Sequence, residues 1–265
     1  MVISVARASA ILRMLGNREN RLTDISKTLG LNMSTTHRLL KTLEKEGFVF
    51  QDPISRQYLL GHLVLRIASD PFVTHQGLAV SALEEMKRLR SLTGETVTIN
   101  IRIGEQRLCV EEMVSFHSIK YTIGRGAVAE IYAGSAGKVL LAELPKIELE
   151  RLLRNITLRK VAPHTITDKD VLLKELEKIR KQGYAKSIAE KLEGGIAISA
   201  PVRGYVCPVS LTILAPEFRF GHVILKYVQE LKRSAAIISK RVKAFTEEVR
   251  EHSKIEREKP RKEWS

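Results

Sequence analysis

Residues 22–43 constrain this chain most. They read as two short amphipathic segments that meet at Gly30. In the first, Ile25 and Leu29 are four apart, so they share one helical face. Thr23 is expected to cap it, with Asp24 placing negative charge on its first turn. Gly30 supplies the freedom a tight turn needs, and Asn32 or Ser34 caps the second segment. There Thr36, Leu39, Leu40 and Leu43 share one face. Ser34, Thr35, Arg38, Lys41, Thr42 and Lys45 lie on the other, with no carboxylate before Glu44. Such a helix can lay its outer face in a DNA major groove, with cations on phosphates and small polar side chains near base edges.

A basic amphipathic face is also what plain solvation produces, so the residues after this helix decide the reading. Gly47 ends the second helix. Residues 48–51 and 57–60 are strand-like, and Asp52-Pro53-Ile54-Ser55 between them has turn chemistry. Helix, turn, helix, hairpin is the order of a winged helix-turn-helix. The expected contacts to a double-stranded DNA operator are Ser34, Thr35, Thr36, His37, Arg38, Lys41 and Thr42, with Arg56 near the hairpin tip. His37 either meets phosphate or packs. Arg7, on a first helix capped by Ser4 and striped by Val5, Ala8, Leu12 and Leu15, meets a phosphate, a partner subunit or solvent.

The chain of 265 residues is long enough for two domains. Its net charge of +14 suits a polyanion partner, but it is spread: +4 over residues 1–70, +9 over 71–250 and +1 over 251–265. The expected division is a DNA-binding domain over 1–61, a linking helix and break over 62–73 ending near Asp70-Pro71, a second domain over 74–250, and a frayed charged tail over 251–265. Two distant cysteines, no leader segment and no apolar run near the ~20 residues of a membrane span point to a reducing cytoplasm and no membrane partner.

The second domain opens with a helix over 74–92, striped by Leu78, Leu83 or Ala82, Met86 and Leu89. Residues 96–103 alternate as a half-buried strand, and strands follow at 107–113 and 118–123. After the Gly124-Arg125-Gly126 loop, Gly134-Ser135-Ala136-Gly137-Lys138 runs into a helix. These small residues fit either backbone N–H groups aimed at an anion or close helix–strand packing. Helices then start at Pro145 and at a capping box over 167–170. Strands are read at 184–187, 196–203 and 206–215, and a last helix over 221–250. No pair among seven histidines has helical metal-ligand spacing, and no nucleophile–base constellation is present, so neither a metal, a cofactor nor an enzyme is expected.

In this order the residues resemble the IclR-type transcriptional regulators. The likeness is carried by Ser4-Val5-Ala6-Arg7-Ala8, Leu29-Gly30-Leu31, Ser34-Thr35-Thr36-His37-Arg38-Leu39-Leu40, Glu46-Gly47-Phe48 and Tyr58-Leu59-Leu60-Gly61. It continues in Thr93-Gly94-Glu95-Thr96-Val97, Gly137-Lys138-Val139-Leu140-Leu141-Ala142, Gln182-Gly183-Tyr184-Ala185 and Ala200-Pro201-Val202. The resemblance implies an α+β protein: a winged domain on a palindromic operator, then a GAF- or profilin-like antiparallel sheet flanked by helices. It implies a dimeric or tetrameric regulator, repressor or activator, with a small effector in the second domain.

Pockets of this family use the small-residue loop, here Ser135, Ala136 and Gly137. They also use an acid after Gly-Tyr, a cysteine before Ala-Pro and two serines on the last strand. Here Ser187, Ala197, Thr212 and Leu214 stand at those four places, and Gly134 replaces a usual threonine. The expected effector is therefore a carboxylate with an apolar body, in a pocket widened at its far end. A regulator that needs no effector is the alternative.

Overall fold

A computed structural model describes residues 2–16, 20–220 and 223–258. The chain divides into two compact units: residues up to Thr74 together with those from His252 onward, and His75–Glu251, so the last helix runs through the second unit as far as Glu251.

The first unit holds α1 (Ile3–Gly16), α2 (Leu22–Leu29), α3 (Met33–Lys45), β1 (Val49–Gln51), β2 (Tyr58–Leu60), α4 (His62–Ser69) and α5 (Pro71–Thr74). β1 and β2 form an antiparallel hairpin with Phe50 opposite Leu59. Ile11, Met14, Leu15, Ile25, Leu40, Leu43, Val49 and Tyr58 make the core. Local expectations shift here. Ser4 lies inside α1, and Val5 is exposed, because the buried stripe runs through Ile11, Met14 and Leu15. α2 begins two residues early, with Arg21 in the cap position, and the Thr23 hydroxyl turns to Asp24 instead. Asn32 is the cap of α3, accepting from the Thr35 N–H at 2.8 Å. Gly30 adopts φ +65°, a conformation that side chains resist. By compactness α5 groups with this unit, which runs to Thr74.

The second unit is an antiparallel sheet with helices on both faces. Its elements are α6 (Gln76–Thr93), β3 (Thr96–Ile103), β4 (Gln106–Met113), β5 (Val128–Glu130), α7 (Ser135–Ala142), α8 (Lys146–Asn155), α9 (Lys169–Gln182), β6 (Ala185–Ile188), β7 (Gly195–Val202), β8 (Val209–Pro216), α10 (Glu217–Phe220) and α11 (Ile224–Glu258). The strands lie in the order β5-β4-β3-β8-β7-β6. One sheet face carries Val97, Ile99, Ile101, Leu108, Ile198, Leu211 and Ile213, packed on Leu78, Ala82, Met86 and Leu89 of α6 and Leu231, Ala235 and Ile238 of α11. The other face carries Thr98, Asn100, Ser199, Ser210 and Thr212, all buried, with α7 packed over it.

That second layer overturns the half-buried reading of β3. Thr96 to Ile101 are buried on both sides, because α7 replaces solvent on the polar face. Residues 118–123 form no strand. The Thr96 hydroxyl donates to Tyr121 O at 2.7 Å, and the Ile123 and Gly124 N–H groups donate to Glu112 at 2.7 and 3.0 Å, so side chains tie this segment down in place of a ladder. Pro145 precedes α8 as its cap. Asp168, not Thr167, caps α9, accepting from the N–H groups of Asp170 and Val171 at 2.8 and 2.9 Å. α11 is helical as far as Glu258, past the expected start of the tail at 251, and residues 259–265 of that tail lie outside the described residues.

Candidate functional site

In the first unit, α3 presents two faces. Ser34, His37, Arg38, Lys41 and Thr42 are exposed, and Thr35 is half-buried. Thr36 is not with them. It is fully buried, and its hydroxyl donates to Asn32 O at 3.1 Å. The helical period places it with Leu40 and Leu43 on the core side, out of reach of any groove. The Thr42 hydroxyl donates to Arg38 O at 3.0 Å. Lys41 pairs with Glu44 at 2.7 Å, which raises the lysine and lowers the carboxyl from their ordinary values. A phosphate must compete with that pair.

The hairpin tip is held by Asp52, whose carboxylate accepts from the Ile54 N–H and the Ser55 hydroxyl. Arg56 is exposed there at φ +57°, with its N–H donating to Asp52 O at 2.9 Å and its O accepting from Gln51 Nε2 at 3.1 Å. Arg7 is half-buried on α1.

In the second unit, Ser135, Ala136, Ser187, Ala197, Thr212 and Leu214 line one cavity of about 40 Å³, between the polar sheet face and the start of α7. Strand register explains their meeting. Ala197 of β7 lies opposite both Leu214 of β8 and Ser187 of β6, while Thr212 pairs with Ser199 on one side and Thr98 on the other. Gly137 is not in the wall. A Cβ on it would sit 1.8 Å from Ile131 O, so this glycine serves close backbone packing.

Leucine is larger than serine, and Leu214, 7% exposed, lines the cavity. The remaining space suits a few waters or one compact molecule. The loop's N–H groups are partly engaged already: that of Ser135 donates to Ser187 Oγ at 3.0 Å. A hydroxyl chain runs from Ser135 Oγ to Ser199 Oγ to Thr212 Oγ1, each step 2.8 Å.

Three charged residues outside the expected set complete the wall: Arg107, Glu190 and Lys191. Arg107, 5% exposed, donates from Nη1 to Asn100 Oδ1 at 3.1 Å, and Asn100 in turn donates to Thr98 Oγ1 at 3.0 Å. Its Nε has no hydrogen-bond partner, and no carboxylate among the described residues forms an ion pair with it. Burial pushes its guanidinium down. An uncompensated buried ion costs several kcal/mol even after relaxation, on the order of 3–5.

Glu190 accepts from Lys138 Nζ at 2.6 Å through Oε1, while its Oε2 has no partner; burial pushes this carboxyl up, against the lysine. Lys138 is 1% exposed and also reaches Lys186 O at 3.1 Å and Glu175 at 3.4 Å. Lys191 pairs with Glu130 at 2.6 Å. Ser210, beside Asn100 in register, is a further buried hydroxyl on this face without a partner. One signal in the sequence pointed to Arg107: position 107 alternates out of phase with Leu108, which belongs to the apolar face. Nothing there showed that the other face is covered.

Elsewhere, burial pushes the thiols of Cys109 and Cys207 up to about 12 and about 11, which keeps both protonated and unreactive near neutrality. Among the described residues no group of three or more His, Cys, Asp or Glu is placed to hold a metal ion, and no helix is long and apolar enough to cross a membrane.

Comparison with known proteins agrees with this architecture. Residues 4–53 match the IclR helix-turn-helix domain, and residues 71–240 match the bacterial transcriptional regulator IclR C-terminal domain. The transcriptional regulator KdgR of Escherichia coli is 30% identical over 242 residues, covering 90% of this chain and 92% of that one. The transcriptional repressor AllR of Salmonella typhi is 32% identical over 75% of this chain and 74% of its own. Among solved structures, an IclR homologue from Microbacterium hydrocarbonoxydans, complexed with 4-hydroxybenzoate, matches 91% of this chain and 99% of its own with a TM-score of 0.58 at 21% identity. A winged domain on one side of the division and a helix-covered antiparallel sheet on the other, each matched over most of its length, make this chain a DNA-binding transcriptional regulator of the IclR family.

Proposed function

We propose that this protein is an effector-controlled repressor, and no enzyme, acting in the cytoplasm on a palindromic operator. The observation that carries the effector part is the cavity on the polar sheet face, where the buried Arg107 has an unpartnered Nε and no direct ion pair. A small carboxylate supplies what Arg107 lacks, and the size of the cavity selects a compact one over the apolar-bodied acids expected from the sequence. The Microbacterium homologue of this fold is complexed with 4-hydroxybenzoate, a carboxylate. The DNA part assigns groove and backbone contacts to Ser34, Thr35, His37, Arg38, Lys41, Thr42 and Arg56.

Self-association follows from exposed apolar side chains on α1 and α4. Ile3, Val5, Leu65 and Ile67 are 47–63% exposed, more apolar surface than a small winged unit leaves bare. A two-fold protein then mirrors a two-fold operator. A monomer by light scattering, unchanged by operator DNA, refutes this part.

The decisive experiment is footprinting of the full-length protein around its own gene, repeated with a panel of small and bulky carboxylates. Protection of a symmetric site, relieved by a compact acid, is the expected result. Protection indifferent to every acid favours the second reading, a regulator without an effector. The engaged Ser135 N–H and the small volume are what support that reading.

A further inference from the structure

The cavity has two poles, each a buried charged group with an unmade hydrogen bond. Arg107 reaches it from β4, its Nε free of any partner and its guanidinium held only by Asn100. Glu190 reaches it from the connection between β6 and β7, with Oε1 on Lys138 and Oε2 unpartnered. The hydroxyl of Thr212, already in the chain from Ser135, lines the wall together with Thr98. We infer that the ligand is a compact 2-hydroxy acid, its carboxylate on Arg107 and its hydroxyl donating to Glu190 Oε2. This rests on reading the cavity as an effector site.

The chemistry of the two poles makes the selection. A planar guanidinium matches the two oxygens of a carboxylate, and here no carboxylate is paired with it directly, while Glu130 acts on it from longer range. In its ionised form, which the bond from Lys138 favours, Glu190 can only accept. A 2-oxo acid of the same size turns a carbonyl oxygen toward it, acceptor against acceptor. A 2-hydroxy acid turns an O–H. A 2-amino acid also brings a donor, but it is a zwitterion. The two other cations near the cavity, Lys138 and Lys191, already have carboxylate partners. A neutral ligand therefore leaves the charge of Arg107 unmatched, whereas an anion matches it.

Lactate, pyruvate and alanine have nearly one shape and differ only in this group. Titrated against the full-length protein at pH 8 and followed by calorimetry and thermal midpoint, lactate is expected to bind saturably. Pyruvate and alanine should bind about tenfold more weakly or less. Arg107→Gln should abolish lactate binding while circular dichroism stays unchanged, and Arg107→Lys should keep a weakened response. Glu190→Gln, whose amide can turn a donor into the cavity, should narrow or reverse the preference for lactate over pyruvate.

Pyruvate or alanine binding as well as lactate overturns the inference, and so does undiminished lactate binding by folded Arg107→Gln. Both of those outcomes leave the effector reading standing. Silence from all three acids, together with silence from the wider carboxylate panel, brings down the effector reading itself.

Discussion

The two faces of the second unit's sheet are made by the same strands and buried to the same depth, yet they are held by different forces. On one face Val97, Ile99, Leu211 and Ile213 meet α6 and α11 through apolar contact alone. On the other, Thr98, Asn100, Ser199 and Thr212 meet α7 through a hydroxyl chain, an amide and two buried charges. Apolar burial tolerates few imperfections but needs no pairing. Polar burial needs every partner, and where partners are missing the face is suited to receive one. The orphaned atoms of Arg107, Glu190 and Ser210 all lie at or beside that second face. The molecule thus keeps an apolar core on one side of the sheet and, on the other, a polar layer whose charges serve both the fold and the chemistry.

The contrast can be broken most forcefully at Lys138. Lys138→Ala leaves Glu190 buried with no cation against it and is expected to cost about 3–5 kcal/mol by denaturant unfolding. If the loss is under about 1 kcal/mol, the polar face is not held by its charges. Truncation on the apolar face comes next. Leu211→Ala, at a fully buried position, should cost about 2–5 kcal/mol. Its polar counterpart, Ser199→Ala, removes the middle of the hydroxyl chain and should cost about 1–3 kcal/mol through the hydroxyls left unpaired. Equal losses at the two sites would erase the distinction.

The faces of α3 give a smaller version of the same test. Arg38→Ala should leave the thermal midpoint in place and lower the salt slope of operator binding by about 1. Thr36→Ala should do the reverse, lowering the midpoint without touching the salt slope. A changed salt slope in the second variant would put Thr36 back on the DNA side.

The smallest effect is a pair of opposite pH slopes. Its bond to Lys191 holds Glu130 below the ordinary carboxylate value, so its contribution is present above the unfolded pKa and lost as acid titrates the folded group. Burial holds Glu190 above that value, so its contribution is full below the unfolded pKa and is lost as pH rises through the folded one. Stability curves of Glu130→Gln and Glu190→Gln against pH should therefore depart from the parent in opposite directions. Departure in the same direction contradicts one of the two assignments.

Much of this was legible in the sequence, for reasons that stay local. A period near four exposes the two faces of α3, and a period of two separates Val97, Ile99 and Ile101 from Thr96, Thr98 and Asn100. Gly30 and Asn32 announce the turn between α2 and α3 through backbone chemistry that needs no tertiary contact. What stayed hidden depends on contacts distant in the chain. Alternation cannot say whether a polar face meets water or a helix, so β3 read as half-buried. Arg107 drew no notice in the sequence, because its side-chain bond to Asn100 depends on the pairing of β4 with β3. Gly137 fits both an anion loop and a packing site, and only the closeness of Ile131 O decides. The segment 118–123 has strand-like residues, but its backbone is claimed by Thr96 and Glu112.

All eight residues of α7 are buried, although it carries Ser135 and Lys138 as well as Val139, Leu140 and Leu141. A helix without a solvent side has no shallow fluctuation open to it; its amide protons can reach water only when the surrounding layers part. In deuterium oxide, α7 should keep its protons longer than α3, whose outer face is bare. The element next to the cavity is then the last one to open, and any signal that passes through it must travel as a displacement of the whole segment and not as a loosening of its ends.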